Sequence, residues 1–140
     1  MPENITRQQY LENIIVGTLL ESVEGMNYYE ETKYMITPDM MQDETNRRIY
    51  TYIVDMNAKG MNKTTPCDIF EEYGEVVIDI LPRMCELCNE YSFLWLKFDY
   101  NERRYLASEV YGVNGRETEV QFSDYVNQYV KMIFDGKTKN

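Results

Sequence analysis

The sequence predicts an all-α fold, a compact multi-helix globule followed by an antiparallel helical hairpin. Apolar residues recur at the spacing of amphipathic helices over most of the chain. Helix-start signatures precede several of these stretches, at Thr6, Asp43 and Thr65. With 140 residues, 44% of them hydrophobic, the chain is long enough to bury a core without disulfides. We expect one domain, with the globule over residues 1–91, the hairpin over 92–135 and a tail over 136–140.

The first predicted helix covers residues 7–21. Thr6 and Gln9 have the spacing of a capping box, and apolar residues follow at helical intervals. Gly17 lies inside this helix, where glycine costs about 1 kcal/mol relative to alanine. We therefore expect a neighbouring helix to pack closely against Gly17.

The rest of the globule is predicted from similar start and stop signals. Asp43 can cap the strongest helix, which ends near Gly60, and Thr65-Pro66 starts a short helix that closes at Gly74. The predicted elements are a short helix over 28–35, a turn at Thr37-Pro38, and helices over 44–59, 66–73 and 77–91.

The hairpin is predicted from two helical stretches separated by glycines. Residues 93–111 have a polar but helical pattern, Gly112 and Gly115 break it, and a last helix covers 120–134. Two helices joined by a short loop pack as an antiparallel pair.

Composition restricts the classes of partner. The net charge of −10 disfavours direct nucleic-acid binding, because a polyphosphate would be repelled. The pairs Arg47-Arg48 and Arg103-Arg104 are interpreted as solvated ion-pairing residues. No apolar run approaches the ~20 residues of a membrane-spanning helix. We expect a cytoplasmic protein, and three cysteines agree with a reducing compartment.

The residues that usually carry catalysis are scarce. The chain has no histidine, which removes the commonest general base. Cys85 and Cys88 have redox or metal spacing, with Cys67 as a third thiol, but they lie in a helical pattern and are interpreted as structural. Gly136-Lys137-Thr138 resembles the end of a phosphate-binding loop, yet Lys131 stands where that loop needs glycine. We therefore predict no enzyme activity, no cofactor and no metal.

Residues 6–91 contain an ordered series of short motifs. The series consists of Leu11-Glu12-Asn13, Gly17-Thr18-Leu19-Leu20, Ile36-Thr37-Pro38-Asp39-Met40-Met41, Asn46-Arg47-Arg48-Ile49-Tyr50, Met56, Gly60 and Pro66-Cys67-Asp68. In order and spacing this series resembles the N-terminal domain of DnaB-type replicative helicases. Asn46 stands where that family usually has histidine, and Met41 where it has phenylalanine.

The resemblance implies a non-catalytic oligomerisation and docking module of DNA replication. In that family the domain forms the collar of the helicase ring and receives the primase, while a separate motor domain hydrolyses ATP. The implied partners are a second copy of the chain, bound through the hairpin, and a primase, helicase or helicase loader. The chain would then be a free-standing relative, as in a phage or mobile element, or part of a larger protein.

Large aromatic residues of the hairpin are the predicted partner contacts. Thirteen tyrosines and nine methionines suit a protein interface, because both side chains adapt to contact surfaces. The predicted contacts are Tyr105, Tyr111, Phe122, Tyr125 and Tyr129; packing within the chain is the alternative for each.

A small helical regulator that binds DNA or a transcription component is the alternative function. Its recognition helix would be the one that carries Arg47 and Arg48.

Overall fold

Helices dominate the computed structural model, which describes residues 5–20, 28–92, 96–99, 104–107 and 122–138. The α-helices in these ranges are α1 (Arg7–Leu19), α2 (Glu44–Ala58), α3 (Pro66–Tyr73), α4 (Leu81–Glu90) and α5 (Phe122–Thr138). Short 3₁₀-helices cover Tyr28–Glu31, Pro38–Met40 and Gly74–Ile80. The predicted all-α class is confirmed.

The predicted helix starts are confirmed at three positions. The Thr6 side chain accepts a hydrogen bond from the Gln9 N–H at 3.0 Å. Asp43 accepts from the Asn46 N–H at 2.9 Å, which caps α2. Thr65 and Asp68 form a reciprocal capping box at the start of α3. Each cap satisfies backbone N–H groups that the helix itself leaves unpaired.

Helix α1 is the centre of the fold. Every residue from Tyr10 to Leu19 is buried, and α2, α4 and α5 all pack against it. A helix that is buried on all sides belongs in a core, and this helix lacks the polar face of a surface helix.

Close packing at Gly17 is confirmed. A Cβ atom at this position would lie 2.4 Å from the Leu87 carbonyl oxygen and 3.3 Å from the Ser92 nitrogen. Both atoms belong to the backbone at the end of α4, so only glycine fits between the two helices.

The predicted helix over 77–91 begins later than the sequence indicates. Residues 74–80 form a 3₁₀-helix, and α4 starts at Leu81 with Pro82 in its first turn. Proline has no N–H to donate and fits the first turn of a helix, which accounts for the boundary.

The predicted helix over 93–111 is wrong where the chain is described. Strands β1 (Leu96–Asp99) and β2 (Arg104–Ala107) pair antiparallel, with Phe98 opposite Tyr105. Apolar residues in so short a segment fit either periodicity, and aromatic residues paired across strands favour a ribbon. The described parts of the predicted first arm of the hairpin are therefore strands and not a helix, and the predicted glycine turn at 112–115 lies outside the described residues.

Helix α5, the predicted second arm of that hairpin, packs against α1 in the main core. Val126 and Ile133 of α5 are buried there. The helix continues to Thr138, so residues 136–138 of the predicted tail are helical. None of the helices in the described ranges combines the length and apolar character needed to cross a bilayer.

Candidate functional site

A buried carboxylate organises the centre of the molecule. Glu12 of α1 is fully buried, and its two oxygens accept hydrogen bonds from the Gln42 N–H at 2.8 Å and the Asp43 N–H at 3.0 Å. The side-chain amide of Asn46 donates a third at 3.1 Å. A buried charge is tolerated when donors of this kind surround it.

Tyr129 connects α5 to this carboxylate. Its hydroxyl lies within hydrogen-bond distance of Glu12 Oε2 and 2.9 Å from the Met40 carbonyl oxygen. The hydroxyl has one hydrogen, and the charged carboxylate is the stronger acceptor for it. Burial, and then the charge of Glu12, raise the pKa of Tyr129.

Two asparagines extend the network to α4. Asn46 Nδ2 donates to Asn13 Oδ1 at 2.8 Å, and an Arg83 guanidinium nitrogen donates to the same oxygen at 3.0 Å. Asn13 Nδ2 and Asn46 Oδ1 have no partner among the described residues. The buried network consists of Glu12, Asn13, Asn46, Arg83 and Tyr129, and it fixes α2, α4 and α5 around α1.

The sequence motifs did not predict this network: Tyr129 was predicted to contact a partner, and Glu12, Asn13 and Asn46 were named only within the motifs that resemble the helicase family. A charged residue and an amide in the middle of an apolar helix, at Glu12 and Asn13, were the available signal. Glu12 is fully buried, so the network suits the positioning of helices rather than acid-base catalysis on a substrate.

Alkaline pH should destabilise the fold through buried tyrosines. Burial raises the pKa of Tyr50 and of Tyr129 above the ordinary value of 10.0. Above about pH 10 the unfolded chain loses phenol protons that the folded chain retains, so unfolding becomes easier as the pH rises. We expect the free energy of unfolding to fall by up to about 1.4 kcal/mol per pH unit for each such tyrosine.

Urea unfolding at a series of pH values above 9 (roughly the onset of phenol titration) measures this slope. Tyr50→Phe should make the slope shallower. A free energy of unfolding that does not change with pH in the wild type would contradict the burial of Tyr50 and Tyr129.

Three of the predicted partner contacts are core residues. Phe122, Tyr125 and Tyr129 are 2%, 3% and 0% exposed, so the prediction that they form an external contact is wrong for this fold. They lie on the face of α5 that packs into the main core, where α5 contacts α1. Tyr105 lies in β2 and its side chain is not described, and Tyr111 lies outside the described residues.

The basic pair on α2 is engaged within the chain. The Arg47 guanidinium donates twice to the Met41 carbonyl oxygen, at 3.1 and 2.9 Å. Arg48 forms an ion pair with Asp79 at 2.7 Å. These contacts favour a structural role for both arginines over phosphate binding.

The cysteines show the environment of structural thiols. Cys67 and Cys88 are buried, Cys85 is half-buried, and none of the three forms a disulfide. Burial, and then proximity to Cys67, raise the pKa of Cys85, whereas a reactive thiol needs a lowered pKa. Within the described ranges no cluster of three or more cysteines and carboxylates is arranged to hold a metal ion.

Large apolar side chains remain exposed at several places on the described surface. Two of them, Val76 and Ile78, lie in the Gly74–Ile80 3₁₀-helix and are 61% and 53% exposed. The others are Tyr34, Met35 and Phe134.

An open cavity of about 380 Å³ lies beside α3, the helix that directly precedes this 3₁₀-helix. It is lined by Met61, Asn62, Lys63, Asp68, Glu71 and Glu72.

Comparison of the chain with protein-family models, curated proteins and solved structures gave no match.

Proposed function

We propose that the chain is a non-catalytic oligomerisation and protein-docking module of DNA replication, similar to the primase-binding collar domain of a replicative helicase. The ordered motifs over residues 6–91 support it, and the all-α globule is compatible with it. The observation that carries the proposal is the exposure of Val76 and Ile78 on the Gly74–Ile80 3₁₀-helix, whose other apolar residues are buried in the core.

Exposed apolar side chains in a well-packed protein favour binding to another protein. The core of this chain is continuous, and Val77 and Ile80, the neighbours of the exposed pair, are buried within it. The exposed pair is thus the outer side of an ordered segment. Burial of such side chains against a partner would remove apolar surface from water, which stabilises the complex by roughly 25 cal/mol for each Å² removed.

Light scattering coupled to size exclusion tests the proposal. The chain is measured alone and mixed with the primase, the replicative helicase or the helicase loader of its own source. We expect an oligomer of the chain, or co-elution with at least one of these proteins. Val76→Ser/Ile78→Ser should weaken the co-elution, while the matched change Tyr34→Ser/Met35→Ser, at the other exposed apolar pair, should not.

A monomer that binds none of the three proteins would overturn the proposal. The alternative, a regulator that binds DNA, would then be tested by a gel shift at low salt. Salt-sensitive binding that is lost in Arg47→Ala/Arg48→Ala would support that alternative.

A further inference from the structure

The Gly74–Ile80 segment presents two mixed faces to the outside. A 3₁₀-helix has three residues per turn, so residues three apart share a face. Val77 and Ile80 share the inner face and are buried. The two outer faces each combine one apolar and one acidic residue, Val76 with Asp79 and Ile78 with Glu75, and all four are exposed.

Arg48 of α2 holds this segment in place. Its guanidinium donates to both oxygens of Asp79, at 2.7 and 3.3 Å, and to the Val76 carbonyl oxygen at 3.2 Å. These bonds and the two buried residues fix the segment before any partner arrives. A surface that is already ordered loses little conformational entropy on binding.

The acidic character continues into α3, which directly precedes the segment and packs against it. In the open cavity beside α3, the carboxylates of Asp68, Glu71 and Glu72 share the lining with one lysine, Lys63. Lys59 pairs with Glu72 at 3.2 Å. The acidic-apolar surface is defined as Glu71, Glu75, Val76, Ile78 and Asp79.

We propose that the acidic-apolar surface binds a segment of a partner protein in which apolar side chains are flanked by lysine or arginine. This inference rests on the proposed function and names the chemistry of its partner. Val76 and Ile78 would supply the apolar contact. The carboxylates of Glu71 and Glu75 would select the basic flanks and speed the encounter, since Asp79 is already paired with Arg48.

Charge complementarity favours a basic protein segment over a second copy of the chain and over nucleic acid as the ligand of this surface. A second copy of the chain would bring the same carboxylates against themselves in a two-fold contact, since such an interface pairs one patch with itself. Nucleic acid would be repelled by the same carboxylates and by the net charge of −10. A basic, partly apolar protein segment meets neither obstacle.

A synthetic peptide provides the probe. The peptide is fluorescently labelled, carries leucine on one face of a helix and has lysine on both flanks; its counterpart has glutamate at every lysine position. We expect the intact chain to bind the lysine peptide in fluorescence anisotropy and to leave the glutamate peptide free. Val76→Ser/Ile78→Ser should raise the Kd about tenfold, the scale of losing a central interface contact.

The control variants decide where the peptide binds. Tyr34→Ser/Met35→Ser removes the other exposed apolar pair and should leave the Kd within about twofold, since surface changes away from a contact have small effects. Glu71→Lys/Glu75→Lys keeps the apolar pair and should weaken binding. Equal losses in the two serine variants, binding of the glutamate peptide, or no binding at all would overturn the inference.

The two proposals fail separately. If the replication proteins co-elute with the chain but the lysine peptide does not bind, the inference about the surface is wrong and the proposed function stands. If the peptide binds at the acidic-apolar surface but no replication protein co-elutes, the surface stands and the assignment to DNA replication is wrong.

Discussion

Gly17→Ala should destabilise the fold by about 2–3 kcal/mol, the cost of overpacking a core contact. The added methyl group would lie 2.4 Å from the Leu87 carbonyl oxygen. That oxygen accepts the Tyr91 N–H hydrogen bond at the end of α4, at 3.1 Å. To make room, the end of α4 must move away from α1 and weaken this bond.

The sign of this effect runs against helix propensity. In an exposed helix, alanine is favoured over glycine by about 1 kcal/mol. Gly136 of α5 provides the matched control, because a Cβ atom there would meet no atom of another described element within 4 Å. We expect Gly136→Ala to be neutral or stabilising by up to about 1 kcal/mol.

Urea unfolding followed by helical circular dichroism measures both variants. The midpoint should shift down for Gly17→Ala and remain or rise for Gly136→Ala, with an unchanged slope in each case. A Gly17→Ala protein as stable as the wild type would mean that α1 and α4 are farther apart than described.

Local sequence signals predicted the parts of the fold that depend on neighbouring residues. The caps at Thr6, Asp43 and Thr65 are such parts, because a side chain and a backbone N–H three residues away decide the helix start. Gly17 was predicted to contact a neighbouring helix because a glycine inside a helix needs a packing reason. The pattern did not identify that neighbour as α4.

The failures lie where distant parts of the chain decide the outcome. Residues 96–99 and 104–107 form strands because each finds a partner strand, which a helical pattern of apolar residues does not reveal. Phe122 and Tyr125 were predicted to contact a partner because large aromatic residues of the hairpin suit a protein interface. With α5 against α1, the same side chains complete the core.

Neither candidate site was predicted, because neither depends on neighbouring residues alone. The buried network was missed because Glu12 gains its donors from residues about 30 and 117 positions away. The sequence also did not predict the 3₁₀-helix over residues 74–80, and its three residues per turn place Val77 and Ile80 on the buried face and leave Val76 and Ile78 outside.

Glu12→Gln should destabilise the protein by about 3 kcal/mol or more, because breaking a buried charged network leaves groups unpaired. The glutamine amide has one acceptor oxygen where the carboxylate has two, and its NH₂ group would face N–H and O–H donors. Of the donors from Gln42, Asp43, Asn46 and Tyr129, some would lose their acceptor. Glu90→Gln, at an exposed position of α4, is the control and should change stability by less than about 0.5 kcal/mol.

A double-mutant cycle with Tyr129→Phe shows whether the loss comes from this network and keeps the test informative if Glu12→Gln folds poorly. Tyr129→Phe alone should cost about 1–2 kcal/mol, because it removes one hydrogen bond to a charged group. It also removes one of the donors that Glu12→Gln would leave unpaired, so the loss in the double variant should be smaller than the sum of the two single losses by more than about 0.5 kcal/mol. Losses that add within that margin would show that Tyr129 and Glu12 are not coupled, and the attachment of α5 to the centre of α1 would then rest on apolar packing alone.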